Sequence, residues 1–276
     1  MSGLEQTRPR DASRAKGLVS SRSSGARVHA QTFAPSAAIA HGVEYFWVTR
    51  WDLRGQAPHH VELLADPCVN VAFERGRSRI VGVHTRLFRR ELAGEGAICA
   101  VKFKAGAAKL WLAVDEVASL TDRIVSIDRR SERWLVALES TVLAAERDED
   151  AVALIDRALC EGLRANDNAE LATKIVARIE ADPTLTSAAA ISRAAGLSMR
   201  PLQRLFRECV GATPKWVSRR YRLREASQRL ERDESVSLST LAAELGYADH
   251  AHFSRDFKAA TGHAPSAFAR AMRGGS

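Results

Sequence analysis

The sequence has few cysteines and no long apolar run, and both shortages exclude classes of protein. Cys68, Cys99, Cys160 and Cys209 are widely separated, and no C-x-x-C pair occurs. Neither a zinc site nor a disulfide framework is therefore predicted. No run of about 18 apolar residues is present, and the arginine- and serine-rich amino terminus lacks the apolar core of a secretory signal. We therefore expect a cytoplasmic protein without membrane contact.

Positive charge is concentrated at the two ends of the chain. Residues 1–30 carry 6 Lys/Arg and 2 Asp/Glu (net +4), residues 31–168 carry 18 and 20 (net −2), and residues 169–276 carry 17 and 11 (net +6). A near-neutral centre beside a basic C-terminal part predicts that this C-terminal part contacts a polyanion. The alternative is a basic surface that is only solvated.

The 276 residues are enough for two domains, and 46% apolar with 27% charged residues is ordinary globular composition. Residues 1–30 lack apolar periodicity, which predicts a disordered basic tail. Residues 31–165 form the predicted N-terminal domain, and the polar residues 166–168 the linker. Residues 169–276 form the predicted C-terminal domain. The strands and helices described next predict an α+β fold class for the two domains together.

Short runs of strand length, rich in β-branched and aromatic residues, follow one another in the N-terminal domain. They predict an antiparallel barrel or sandwich with strands at 43–51, 61–64, 69–73, 80–83, 87–92 and 98–103. Helices are expected at 107–114, from Ser131 to about 145, and at 150–164. These helices either close the barrel or pair with a second subunit, so a homodimer is one hypothesis.

Five aromatic residues of this domain leave two interpretations open. They could line a cavity for an apolar ligand, or they could fill the barrel. The residues are Trp47, Trp51, Phe73, Phe88 and Phe103.

The C-terminal part predicts two helix-turn-helix units. In one, Ser187 caps a helix, Gly196 makes the turn, and a second helix buries Leu202 and Leu205. A long helix that begins at Pro214 leads to the other unit. There, Gly246 makes the turn, Asp249 caps the following helix, and Phe253 and Phe257 anchor it on one side.

The polar sides of these two second helices supply the candidate DNA contacts. Arginine suits the edge of guanine and glutamine that of adenine. The predicted base contacts are Arg200, Gln203 and Arg204 on the first helix and His250, His252 and Arg255 on the second. The residues expected at phosphates or at helix caps are Ser198, Arg207, Asp249, Ser254 and Lys258. For any one of them, the alternative is a solvated polar side chain.

The second unit resembles the AraC family of bacterial transcription regulators. The resemblance rests on Gly246-Tyr247, Phe253-Ser254-Arg255, Phe257-Lys258, Gly262 and Pro265, and the doubled unit extends it over Ala169–Arg270. It implies double-stranded DNA as the partner, bound through two adjacent major grooves. It also implies a cupin-like sensor domain at residues 31–165, a small-molecule effector and contact with RNA polymerase.

The rival hypothesis is an enzyme fused to a DNA-binding module. A metal cupin would need clustered histidines, but His59 and His60 are adjacent and should point to opposite faces of a strand. A repair alkyltransferase would need a reactive cysteine, and no nucleophile motif surrounds the four present. We therefore expect no catalytic residue, no metal and no cofactor. A constitutive regulator whose front domain only dimerises is a third possibility.

Overall fold

The structure is a computed structural model that describes residues 27–128, 132–232 and 237–273, and the backbone of two short strands before them. For residues 272–273 it also describes the backbone alone. The strands are β1 (Arg10–Asp11), β2 (Leu18–Arg22), β3 (Arg27–Phe33), β4 (Val43–Leu53), β5 (His59–Leu63), β6 (Asn70–Glu74), β7 (Arg79–Val81), β8 (Phe88–Leu92), β9 (Gly94–Phe103) and β10 (Ile124–Ser126). The helices are α1 (Arg133–Ala144), α2 (Asp148–Gly162), α3 (Asp167–Ala181), α4 (Ala188–Ala195), α5 (Met199–Leu205), α6 (Pro214–Arg232), α7 (Leu238–Glu244), α8 (His250–Thr261) and α9 (Pro265–Arg273).

The N-terminal domain contains two antiparallel sheets, as the strand pattern predicts. A seven-stranded sheet has the order β1-β3-β4-β9-β6-β7-β10, and a three-stranded sheet has the order β2-β5-β8. The longest pairing joins β4 to β9, from Val43 opposite Phe103 to Leu53 opposite Gly94. The predicted α+β class is therefore confirmed, with the strands in the first domain and a helical domain after them.

The two faces of the large sheet bury different side chains. Phe46, Phe73 and Phe103 belong to a core that also contains residues of α1 and α2, and Phe103 stacks on Trp111 at 5.1 Å. Trp51 belongs to a smaller cluster that includes Leu92 of β8, and Trp47 of β4 and Val61 of β5 pack against that cluster. Four of the five candidate aromatic residues are therefore divided between two layers, and the fifth, Phe88, contacts the His84 ring at 4.9 Å.

Local signals place the helices of the C-terminal domain where the sequence predicts them. The Ser187 hydroxyl accepts a hydrogen bond of 3.1 Å from the Ala190 backbone N–H at the start of α4. Gly196 and Gly246 end α4 and α7 with φ values of 66° and 70°, which L side chains rarely adopt. Each glycine thus makes the turn of a helix-turn-helix unit.

Two predicted boundaries are wrong. Residues 27–30, assigned to the disordered tail, form the start of β3, which pairs with β4. β1 and β2 also fall in residues 1–30, whereas the rest of the predicted tail lies outside the described residues. The predicted linker 166–168 is the beginning of α3, because Asn166 caps this helix by accepting a 2.9 Å hydrogen bond from the Ala169 N–H. Polar residues that suit a linker here satisfy the free N–H groups of a helix instead.

Ion pairs and hydrogen bonds join the two domains. Asp66, in the loop after β5, lies 2.6 Å from Lys102 Nζ in β9 and 4.0 Å from Arg224 Nη1 in α6. At a second place, the Thr121 hydroxyl donates a 2.6 Å hydrogen bond to the Gly211 carbonyl. The helical domain is therefore held at several points by the N-terminal domain.

The charge of Asp66 is expected to make stability depend on pH. Burial favours the neutral acid, but Lys102 and Arg224 outweigh it and lower the pKa of Asp66 from 3.8 to about 2. Stability gained from the ionised carboxylate is therefore complete above its unfolded-state pKa, at pH about 4, and is lost as pH falls through about 2. In urea unfolding, the stability difference between the wild type and Asp66→Asn should shrink as pH is lowered from 6 to 3. Parallel pH curves for the two proteins would contradict this assignment.

Candidate nucleic-acid interface

The first candidate reading helix is α5, continued by a wider π-helical turn at Phe206–Val210. Leu202, Leu205 and Phe206 face the core and are 0%, 5% and 0% exposed. Apolar residues three and four apart thereby fix one side of the helix and leave the other side to solvent. Ser198 precedes the helix, but its side chain makes no capping hydrogen bond.

The predicted contacts of the first unit share the exposed side of α5. Arg204 has a side chain 68% exposed, and its nearest acid is Glu208 at 3.8 Å. Arg207 differs, because its Nε lies 2.9 Å from Glu116 Oε1 of the N-terminal domain. In this structure, the partner of Arg207 is thus a carboxylate of the N-terminal domain, whereas the sequence analysis predicts a phosphate contact for it. All five predicted residues of this unit are exposed: Ser198, Arg200, Gln203, Arg204 and Arg207.

The second candidate reading helix, α8, is held by a cap and an aromatic cluster. The Asp249 carboxylate accepts a 2.6 Å hydrogen bond from the His252 backbone N–H, and this bond lowers the pKa of Asp249. Phe253 and Phe257 are both 0% exposed, and their ring centroids lie 5.6 Å apart. Tyr247 closes the cluster at 5.4 Å from Phe253. The cap and the rings fix the start and the inner side of the helix.

The outer side of α8 carries the predicted contacts of the second unit. His250 and Ser254 contact each other, with 3.2 Å between the imidazole Nε2 and the hydroxyl oxygen. The His252 ring meets Tyr247 edge-on at 5.2 Å, and its Nε2 lies 3.7 Å from Asp256. Ser254 is half-buried, and the other five predicted residues are exposed: Asp249, His250, His252, Arg255 and Lys258.

A half-buried ion pair that the sequence analysis does not single out attaches α8 to α6. Arg219 Nε and Nη2 each lie 2.7 Å from an oxygen of Asp256, so the guanidinium and the carboxylate are paired through two parallel contacts. Arg222 of the same helix donates a 2.9 Å hydrogen bond to the Leu245 carbonyl and lies over the Tyr247 ring at 4.7 Å. The arginines of α6 thus hold the second unit. The spacing of these arginines in the sequence does not predict their contacts, since solvent-exposed arginines on a helix can have the same spacing.

One group of possible metal ligands occurs in the described part of the chain. Oxygen atoms of Glu44 and Asp66 and the sulfur of Cys68 lie within 4.8 Å of one another. The Lys102 ammonium lies among them, 2.6 Å from Asp66 and 3.4 Å from Glu44. Burial raises the pKa of the Cys68 thiol well above its ordinary value, and the Asp66 charge adds to this. The group is therefore best described as an ion-pair network centred on an ammonium.

His59 and His60 point to opposite faces of β5, as expected for neighbours in a strand. His59 is buried at 3% exposure, whereas His60 is exposed, with Nδ1 3.8 Å from Glu91. The two rings therefore do not converge on one site.

Two family models match the chain, one in each domain. Residues 191–271 match a helix-turn-helix domain, which covers both reading helices. The chain is 38% identical, over 69 residues, to the HTH-type transcriptional activator RhaS of Pectobacterium carotovorum subsp. carotovorum (strain PC1). The C-terminal domain is a helix-turn-helix domain. The aligned region is 25% of this chain and 24% of RhaS, so the chain covers about a quarter of the curated relatives that it matches.

Outside the helix-turn-helix domain, residues 31–126 match a domain of unknown function (DUF6597). Among solved structures, one similar to this chain is an AraC-type regulator from Chromobacterium violaceum, with 27% sequence identity and a TM-score of 0.34. The alignment covers 36% of this chain and 89% of the Chromobacterium chain. Another is ToxT from Vibrio cholerae O395, with 13% identity, coverage of 78% and 89%, and a TM-score of 0.39. Within the described residues, no helix has both the length and the apolar character that crossing a membrane requires.

Proposed function

We propose that this protein is a sequence-specific transcription regulator that binds two adjacent major grooves of double-stranded DNA. The observation that carries the proposal is the pair of reading helices, each with a buried apolar side and an exposed polar side. Arg200, Gln203 and Arg204 of α5 and His250, His252 and Arg255 of α8 are the proposed base contacts. The RhaS relative is named a transcriptional activator, and the same sign of regulation is proposed for this protein.

The N-terminal domain is proposed to be a cupin-like sensor of a small-molecule effector. The layer between the two sheets is the proposed place for that effector, since it combines the large Trp51 with the small Ala72 and Ala100. In support, the N-terminal domain contacts the helical domain directly through Asp66 and Thr121. An effector that shifts the sheets relative to each other would thus act on the DNA-binding domain through existing contacts.

The enzyme alternative is weaker than regulation, and absence of catalysis is part of the proposal. An alkyltransferase needs an accessible thiolate. Cys68, Cys99 and Cys209 are buried, and burial raises the pKa of Cys99 to about 12 and that of Cys209 to about 11. Cys160 is exposed and lies 3.5 Å from the Ser36 hydroxyl. None of these surroundings activates a thiol.

A homodimer, RNA polymerase as a partner and a cytoplasmic location complete the proposal. The dimer hypothesis rests on the amphipathic helices α1 and α2, whose outer sides could pack against a second subunit. Contact with RNA polymerase rests on the family resemblance alone.

Selection from a pool of random duplexes tests the function. The purified full-length protein should enrich a sequence with two boxes whose centres are about one helical turn, or about 10 to 10.5 base pairs, apart. Sequencing of the bound fragments after several rounds measures the enrichment. Recovery of fragments without any shared sequence would contradict specific DNA recognition.

A further inference from the structure

A five-residue segment of the N-terminal domain contacts both helix-turn-helix units. The segment is Leu64–Cys68, directly after β5, and we name it the interdomain segment. Leu64 belongs to the apolar cluster that contains Phe253 and Phe257 of the second unit. Cys68 belongs to the cluster that contains Leu202 and Phe206 of the first unit. The two ends of the segment are therefore packed into different reading units.

The middle of the interdomain segment is attached to the connecting helix α6. Arg220 Nε donates a hydrogen bond to the Ala65 carbonyl, and Arg224 Nη1 lies 4.0 Å from Asp66 Oδ2. Arg220 is only 5% exposed, so burial holds the guanidinium at this carbonyl. Arg220 and Arg224 are four residues apart and therefore lie on one side of α6.

These attachments lie where α6 passes from one unit to the other. Val217 and Tyr221 of α6 pack in the cluster of the first unit, whereas Leu223 and Ala226 pack in the cluster of the second. Arg220 and Arg224 thus flank the changeover between the two clusters. A shift of the interdomain segment would change how the two halves of α6 are held.

Asp66 connects this point to the sheet of the N-terminal domain. Its Oδ2 lies 2.6 Å from Lys102 Nζ, and its Oδ1 accepts a hydrogen bond of 3.3 Å from the Cys68 thiol. Lys102 is 5% exposed and stands opposite Tyr45 and Asn70 in the sheet. The Asp66 carboxylate therefore contacts the Lys102 ammonium of the seven-stranded sheet and lies 4.0 Å from the Arg224 guanidinium of α6.

We propose that the interdomain segment sets the position of one reading unit relative to the other, with Asp66 as the positioning residue. The N-terminal domain thereby determines the spacing between DNA boxes that the protein accepts. This inference rests on the proposed function and describes how that function would be regulated. A change in the seven-stranded sheet is transmitted through Lys102 and Asp66 and alters the spacing of the two reading units.

The test compares DNA duplexes in which the distance between the boxes is changed. The probe is the two-box duplex that the full-length wild type selects from the random pool, with one or two base pairs inserted or deleted between the boxes. One inserted base pair rotates the second box by about 35° and moves it by about 3.4 Å. The wild type should lose roughly tenfold or more in affinity for each such change, an effect as large as the loss of a base contact. Asp66→Asn should lose less than about threefold, because the reading units are no longer fixed relative to each other.

Two further variants keep the test decisive. Leu64→Ala removes a packing contact to the second unit without altering the charges, and the same relaxed spacing is expected of it. Glu95→Gln is the matched control, because it removes a carboxylate at the other end of β9, where Glu95 pairs with exposed Arg54 at 2.6 Å. Glu95→Gln should keep the spacing profile of the wild type.

The outcomes separate this inference from the proposed function. If the wild type selects no two-box sequence, the proposed function fails and the inference fails with it. If the wild type selects one and both Asp66→Asn and Leu64→Ala keep its spacing profile, or lose affinity equally at every spacing, only the inference is overturned. Thermal unfolding shows whether each variant folds. If Asp66→Asn does not fold, the spacing profile of Leu64→Ala alone decides whether the inference holds.

Discussion

Replacing Arg204 and Arg255 together by alanine is expected to weaken binding to the selected duplex by about 2 to 6 kcal/mol, or roughly thirtyfold or more. Each guanidinium can donate two parallel hydrogen bonds to a guanine edge, and a good pair of this kind discriminates by about 1 to 3 kcal/mol. The two residues lie on different reading helices, so their contributions should add. Fluorescence anisotropy with a labelled duplex measures the loss at a fixed salt concentration.

The structure indicates that this loss would not come from unfolding. Arg204 is 68% exposed and has only a 3.8 Å contact with Glu208, which is worth little at a surface. Arg255 is exposed as well. The double variant should therefore unfold at the same temperature as the wild type.

A matched control separates base recognition from loss of positive charge. Arg75 and Arg77 are exposed in the turn between β6 and β7, so their double alanine variant loses the same net charge outside the reading helices and outside α1 and α2. It should bind almost as well as the wild type. If the Arg204/Arg255 variant also bound as tightly as the wild type, the reading surface would lie elsewhere on the domain.

The helical domain is well predicted because its signals are local. The Ser187 cap and the Gly196 turn each depend on residues within one helical turn, and the structure shows both. The apolar side of α8 follows in the same way from the spacing of Phe253 and Phe257. Chains in which caps, turns and apolar spacing agree leave few alternative folds.

Contacts between distant residues are what the sequence does not reveal. Asp66 follows a strand and precedes Pro67, which is typical of an ordinary turn, yet it pairs with Lys102, 36 residues later. Arg219 and Arg224 have the pattern of solvated arginines, but they pair with Asp256 and Glu180. In each case the partner is brought near only by tertiary packing. The periodicity of apolar residues in the sequence therefore does not predict such a contact.

The start of the first sheet escapes sequence-based prediction for a related reason. β3 has only Val28 and Phe33 as large apolar residues, and it follows a stretch rich in Ser and Arg. Its strand form comes from the backbone partners that β4 supplies, from Arg27 opposite Asp52 to Phe33 opposite Phe46. Tertiary pairing thus outweighs a weak local preference.

Replacing Phe253 by alanine is expected to destabilise the second helix-turn-helix unit by about 3 to 5 kcal/mol. Phe253 is 0% exposed and lies between Tyr247 and Phe257, with ring centroids at 5.4 and 5.6 Å. Removing the ring loses the free energy gained by burying it away from water, and it leaves a cavity that the two neighbouring rings cannot fill. Hydrogen exchange should show faster opening of α7, α8 and α9, since the three helices share one cluster.

Comparison with a conservative variant shows whether the ring acts by filling this core. Phe253→Leu keeps an apolar side chain in the cluster and should cost clearly less than Phe253→Ala. Phe73→Ala empties the core of the N-terminal domain instead, because Phe73 is also 0% exposed, and it should leave exchange in α8 near that of the wild type. A Phe253→Ala protein with wild-type exchange in α8 would mean that this helix is held mainly by the Arg219–Asp256 pair and not by its aromatic side. The reading surface would then depend on charge pairing with α6, and Arg219→Ala would become the more damaging change.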